Sequence, residues 1–185
     1  MRKVLRLKCV KCGREYQESE ILYTCRDCGI GGILDVVLDY EAIKRELTPD
    51  YLKHNTDYSI WRYLPAIPLE GTGGIQPLQV GWTPLYEMRQ FSRETGLNSV
   101  FIKDDSRNPT ASLKDRASAV GVAKAVELGR KVICAASTGN AASSLSGFAA
   151  SAGIETYIFV PETAPEAKVT QLLIYGSHVF LVKGT

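Results

Sequence analysis

The sequence predicts an α/β protein built on a doubly wound, mostly parallel sheet and preceded by a small metal-binding ribbon. Three observations carry this expectation. Beyond residue 83, runs rich in Val, Ile and Phe alternate with helical runs, which implies parallel strands joined by right-handed crossovers. The helical runs close at Gly96, Gly129, Gly153 and Gly176. Near the N-terminus, Cys9-Val10-Lys11-Cys12-Gly13 and Cys25-Arg26-Asp27-Cys28-Gly29 repeat one Cys-x-x-Cys-Gly pattern. The chain therefore divides into a ribbon (1–39), a helical arm with a linker (40–82) and an α/β part (83–185).

Composition narrows the function classes. A chain of 185 residues that is 45% apolar fills one ordinary core plus a small module. With 23% charged residues and a net charge of +2 it does not read as disordered. The same balance gives no electrostatic reason to expect a nucleic-acid or anionic-membrane partner. No apolar run approaches the roughly 20 residues that span a bilayer. The start, Met1-Arg2-Lys3-Val4-Leu5-Arg6, has no apolar h-region, so a cytoplasmic protein is expected.

In the ribbon, each Cys-x-x-Cys turn can aim two thiolates at one ion, and Gly13 and Gly29 permit the tight turn after each pair. Cys9, Cys12, Cys25 and Cys28 then complete a closed tetrahedral site for structural zinc, with iron in a rubredoxin-like site as the alternative. Ile21-Leu22-Tyr23 between the pairs reads as a strand. A non-catalytic ribbon that binds nucleic acid or protein is the rival reading. Against it, Lys8, Lys11, Arg14 and Arg26 are offset by Glu15, Glu18, Glu20 and Asp27. In the arm, residues 40–47 have helical spacing stopped by Thr48-Pro49, and residues 60–64 form a short helix. Residues 69–81 are too rich in glycine to be regular. Trp61 and Trp82 read as core or interface aromatics.

Strands are expected at 84–88, 99–103, 131–135, 155–160 and 178–182, and helices at 90–95, 113–128, 141–152 and 165–175. Ligands in such sheets sit at the carboxyl ends of strands. Two turns there stand out. In the first, Asn108-Pro109-Thr110-Ala111-Ser112-Leu113-Lys114-Asp115-Arg116 places a lysine in the first turn of a helix, with Ser112 as N-cap and Asp115 in a capping-box position. A cation is disfavoured at a helix N-terminus, so the neutral amine is more accessible, which suits a Schiff-base lysine. In the second, Ser137-Thr138-Gly139-Asn140-Ala141 opens a helix and offers free backbone N–H groups to an anion, with Gly139 allowing close approach. Asp104, Asp105 and Arg107 precede the lysine loop and can orient it, with exposed loop charges as the default reading; His54 and His178 read as structural, and Cys134 as packed within its strand.

The lysine turn closely resembles the cofactor-lysine segment of fold-type-II pyridoxal-phosphate (PLP) enzymes, those of the tryptophan-synthase-β type. It looks most like the threonine synthases, where it reads Asn-Pro-Thr-Gly-Ser-Phe-Lys-Asp-Arg; here Ala111 stands for Gly and Leu113 for Phe. Trp61-Arg62-Tyr63-Leu64-Pro65 and Gly81-Trp82-Thr83-Pro84-Leu85 resemble segments that precede the lysine in that family, with Val80 in place of a common acidic residue. The Ser137 to Ala141 loop resembles Ser-Thr-Gly-Asn-Thr, with Ala141 replacing Thr. Some threonine synthases also carry an N-terminal zinc ribbon. The resemblance implies a PLP cofactor on the catalytic Lys114, Asn140 bonded to the cofactor's ring oxygen, and Ser137, Thr138, Gly139, Asn140 and Ala141 around the substrate carboxylate. It implies conversion of O-phospho-L-homoserine and water to L-threonine and phosphate, by a homodimer when full length. Cysteate synthase, cysteine synthase and threonine dehydratase are the close competitors. The family's glycine-rich phosphate loop and its remaining strands would follow residue 185, so the chain reads as a truncated N-terminal part, inactive alone, with a protein that has lost catalysis as the alternative.

Overall fold

The structure, a computed structural model, describes residues 3–21 and 23–184. They fall into two compact units, one of residues up to 57 together with 61–70, the other of 58–60 together with 71 onward. In the first unit β1 (Val4–Cys9), β2 (Glu15–Tyr16) and β3 (Leu34–Leu38) form an antiparallel sheet in the order β2-β1-β3. Leu7 lies opposite both Tyr16 and Val36, and Cys9 opposite Leu34. Cys9, Tyr16 and Cys25 make a small core, against which Leu7, Ile21, Cys28 and Leu34 pack. The strand expected over 21–23 does not form at Ile21 or Tyr23, and Leu22 lies outside the described residues. Both sides of β1 are already taken by β2 and β3. Residues 23–28 instead turn to deliver the second cysteine pair, closed by a Cys25 N–H bond to the Gly32 carbonyl (2.8 Å).

α1 (Tyr40–Glu46) starts where Asp39 accepts a hydrogen bond from Ala42 N–H at 2.9 Å. Thr48-Pro49 does more than stop it. Thr48 Oγ1 accepts from Tyr51 N–H (3.1 Å) and Pro49 takes the first position of α2 (Pro49–His54), so the dipeptide also opens a helix. A 3-10 helix covers Ile60–Ala66 and runs through Pro65, past the expected end. Residues 69–81 are irregular, as their glycines require.

In the second unit β4 (Leu85–Glu87), α3 (Arg89–Thr95) and β5 (Phe101–Lys103) come first. Here the structure corrects the expectation of parallel strands: β4 and β5 pair antiparallel, Tyr86 opposite Ile102, in a sheet of their own. The short α3 turns the chain back on itself rather than carrying it across a sheet. After α4 (Asp115–Glu127), the expected alternation holds. β6 (Val132–Ala136), β7 (Glu155–Pro161) and β8 (His178–Val182) are parallel in the order β6-β7-β8, joined by α5 (Asn140–Ser151) and α6 (Glu166–Ile174). Gly96, Gly129, Gly153 and Gly176 all have φ between +66° and +79°, the left-handed turn that ends a helix.

α5 and α6 pack on each other and on this sheet, and α4 packs on α5. The covered face holds Ile158 and Val160 against Ala142 and Leu172. The alternate residues of the strands lie on the other face, where Phe159 stacks on Phe180 (5.1 Å between centroids) and Tyr157 on His178 (4.6 Å). Cys134 pairs in register with Tyr157 and shares that face, so it is exposed rather than packed. Among the described residues no helix is long and apolar enough to cross a membrane.

Candidate functional site

The four ribbon cysteines converge: the Sγ atoms of Cys9, Cys12, Cys25 and Cys28 all lie within 4.8 Å of one another. Four thiolates at about 2.3 Å from one ion would be separated by roughly 3.8 Å, and Cys12 and Cys25 stand 3.6 Å apart. The geometry thus fits a single tetrahedral cation. Gly13 and Gly29 take φ of +74° and +56°, with their N–H groups bonded to the carbonyls of Cys9 and Cys25. Gly32 is the glycine that sequence reasoning missed; a Cβ there would lie 2.6 Å from Cys25 Cβ and 2.7 Å from Cys28 Cβ.

The thiols respond to one another. The Tyr16 hydroxyl beside Cys25 holds its thiol down at about 6, whereas the bond with Cys12, together with burial, pushes Cys28 up to about 12. Negative charge on one sulfur disfavours ionisation of the next, and a divalent cation relieves that repulsion. Tyr16 was not legible as a member of this site, because nothing in Glu15-Tyr16 marks its ring as pointing at sulfur.

The lysine turn is held by a polar network. Asn108, buried, accepts from Gly81 N–H (2.9 Å) through Oδ1 and donates to the Asp105 carbonyl (2.9 Å) through Nδ2. Asp105 takes both ends of the Arg116 guanidinium, from Nε at 2.9 Å and from Nη2 at 2.8 Å, and also the Thr83 hydroxyl at 2.7 Å. The Arg116 guanidinium, with help from Thr83, holds the Asp105 carboxyl down at about 2. Asp105 is therefore a clamp rather than a solvated loop charge. Gly81, at φ +82°, lets this happen: a Cβ there would lie 2.7 Å from Ile60 Cγ2 and 3.1 Å from Arg116 Nη1.

The helix start also differs from expectation. α4 begins at Asp115, not at Leu113, and Lys114 holds its N-cap position without a side-chain cap. Ser112 Oγ accepts from Lys114 N–H (3.1 Å), bracing the turn before the helix. Asp115, 0% exposed, does not reach back in a capping box. Its carboxylate accepts from Thr110, from the backbone N–H at 2.7 Å and from the hydroxyl, and so closes the loop that leads to the lysine. Ala111, at φ +57°, keeps the left-handed backbone that a glycine would favour. Lys114 itself is exposed, and among the described residues its Nζ has no hydrogen-bond or ion-pair partner.

The second turn follows β6. Gly139 N–H bonds to Ser137 Oγ (3.3 Å), and the Gly139 carbonyl accepts from Ala142 and Ser143 N–H, which starts α5. The N–H groups of Asn140 and Ala141, first in that helix, have no intrahelical acceptor. Asn140 Oδ1 accepts from Lys168 Nζ (3.1 Å), which leaves its two amide N–H bonds to donate. A cleft of about 430 Å³ opens at the carboxyl ends of β6, β7 and β8, lined by Ser137, Thr138, Phe159, Pro161 and Lys183 among others. Lys114 and Asn140 open two helices, α4 and α5, that pack on each other; Thr110 of the lysine loop lies where a Cβ on Gly147 of α5 would be 3.0 Å from its Cγ2.

This donor set fits PLP: an unpaired amine for the aldehyde, amide N–H bonds for the phenolic oxygen, and free helix-start N–H groups for a carboxylate. A second cleft, of about 340 Å³, lies beside Arg107, Pro109 and Trp82. Trp82 is 56% exposed, with φ +51°, and its ring lies 4.9 Å from that of Tyr58, whereas Trp61 is buried.

Residues 77–185 match the family described as "Pyridoxal-phosphate dependent enzyme". The chain is 39% identical over 178 residues to a threonine synthase of Methanocaldococcus jannaschii, covering 96% of this chain and 43% of that protein. It is 38% identical over 181 residues to a threonine synthase of Methanosarcina acetivorans, covering 96% and 42%. Among solved structures, serine racemase from Dictyostelium discoideum is similar with a TM-score of 0.52 and 26% identity, over 56% of this chain and 34% of that one. The chain thus spans less than half the length of the threonine synthases it matches.

Proposed function

The chain belongs to the family of pyridoxal-phosphate dependent enzymes, and we propose that it is the N-terminal part of a threonine synthase, which converts O-phospho-L-homoserine and water to L-threonine and phosphate. The observation that carries this is the exposed, unpaired Lys114 at the start of α4, held by the Asp105–Arg116 and Thr110–Asp115 bonds beside α5. The similarity to threonine synthases over 96% of the chain, ribbon included, favours them within the family.

When bound, PLP supplies an electron-accepting ring that holds the electron pair left when the substrate loses a proton. Lys114 Nζ would hold the cofactor through its aldehyde and, when free, would serve as the base that moves the substrate's Cα and Cβ protons. Asn140, whose amide N–H bonds are left to donate, would hydrogen-bond the cofactor's ring oxygen. The Asn140 and Ala141 N–H groups, with the hydroxyls of Ser137 and Thr138, bind the substrate carboxylate and orient Cα. Ala141 offers no hydroxyl, so that contact rests on its backbone. The ribbon cysteines hold a structural zinc ion, since four protein ligands leave no open position. The complete enzyme is a homodimer in this reading.

The test is borohydride reduction of the full-length, cofactor-loaded protein, followed by peptide mapping and a phosphate-release assay with O-phospho-L-homoserine. A pyridoxyl adduct on Lys114, with turnover that Lys114→Ala abolishes, is the expected result. An adduct on Lys114 without turnover of that substrate would move the assignment to another fold-type-II activity, such as threonine dehydratase or cysteine synthase. No adduct on Lys114 would remove the lysine from the chemistry.

A further inference from the structure

β2 is only two residues long, yet it delivers one buried side chain to the cysteine cluster. Tyr16, 7% exposed, sits opposite Leu7 of β1 and points its ring into the small core beside Cys9 and Cys25. Its hydroxyl lies 3.1 Å from Cys25 Sγ, and Cys25 is itself 1% exposed. The same oxygen accepts a hydrogen bond from Arg26 N–H at 3.3 Å. A phenol has one proton to give. With Arg26 N–H directed at the oxygen's lone pair, that proton is left to point at the sulfur. Among the described residues, Tyr16 is the side chain outside the four cysteines that hydrogen-bonds a sulfur of this cluster.

We propose that Tyr16 is a positioning residue for the metal held by this cluster: its O–H donates to the Cys25 thiolate and strengthens the hold of the four sulfurs on a divalent, thiophilic cation. The proposal rests on the reading of the cluster as a metal site. A donor on a ligating sulfur orients its lone pairs towards the ion, and loss of such a partner typically weakens metal binding about 10- to 100-fold. The bland alternative is that Tyr16 is a core aromatic whose hydroxyl has merely found the nearest acceptor. Tyr16→Phe separates the two, because it keeps the ring and its packing and removes one oxygen.

The experiment uses the full chain with Zn²⁺ and, in parallel, Co²⁺. Affinity is read by competition with a chromogenic chelator, and the sulfur-to-cobalt charge-transfer band is read by near-ultraviolet absorption. The wild type is expected to bind one ion per chain. Tyr16→Phe is expected to bind one ion about 10- to 100-fold more weakly, with the band moved to longer wavelength because the sulfur electrons are no longer stabilised by a donor. Tyr16→3-fluorotyrosine, a stronger donor of nearly the same shape, is expected to move the band the opposite way, and it serves even if the Phe variant does not fold. Unchanged affinity in Tyr16→Phe, or a band that stays in place in the fluorinated protein, would overturn the proposal. A wild type that takes up neither cation would instead overturn the metal reading, and the proposal with it.

Discussion

Ala111 and Asp105 carry the measurable energetics of the lysine turn. Alanine at φ +57° is disfavoured by about 1–2 kcal/mol, a penalty glycine escapes, although glycine loses more backbone freedom on folding. Ala111→Gly is therefore expected to stabilise the protein by roughly 0.5–1 kcal/mol, seen as a higher urea midpoint at unchanged slope. A lower midpoint would mean that Ala111 makes a contact worth more than the strain. Asp105 gives a pH dependence. Its carboxyl is lowered from 3.8 to about 2 by Arg116, so the folded state holds the proton less tightly than the unfolded chain. The resulting stability is fully present above about pH 4 and is lost as pH falls through 2. Between those limits the wild type should lose about 1–2 kcal/mol more than Asp105→Asn, after allowance for the solvent-facing part of the ion pair. Equal acid curves for the two proteins would show that the clamp is not formed in solution.

At the level of elements, the close approaches decide what sequence periodicity leaves open. A Cβ on Gly74 would run into the backbone carbonyl of Ala123, in the middle of α4, and backbone cannot swing aside as a side-chain tip does. Gly74→Ala is expected to destabilise by about 1–3 kcal/mol, and α4 amides should exchange faster with deuterium in that variant. Protection of α4 equal to wild type would show that the linker shifts without loss. The same helix shows where local reasoning fails. The Asn-Pro-Thr turn and the closing Gly129 mark its ends to within two residues, but the N-terminal bonds go to Thr110 rather than into a capping box, because the buried Asp115 finds its partner in the loop. The antiparallel pairing of β4 and β5 was likewise hidden, since the alternation does not show that the short α3 turns the chain back instead of crossing a sheet.

On the scale of the whole molecule, the chain folds as two units with separate small cores, one organised by four cysteines and one by the β6-β7-β8 sheet with its helices. Removing the proposed zinc with a chelator is expected to raise hydrogen exchange in β1, β2 and β3 while β6, β7 and β8 keep their protection, because a ribbon core this small leans on its metal for stability. Uniform loss of protection across both sheets would show that the two units unfold together. What could be read from the amino-acid order alone was whatever depends on neighbours in the chain. That includes the paired Cys-x-x-Cys-Gly turns, the glycines that end α3 to α6, the parallel alternation after Gly129 and the candidate residues Lys114 and Asn140. What needed the folded chain was every partnership between residues distant along it: Tyr16 with Cys25, Asp105 with Arg116, Asn108 with Gly81, and the exposure of Cys134 and Trp82. Local patterns follow from backbone geometry repeated every few residues, whereas these contacts depend on which surfaces meet once burial has brought the elements together.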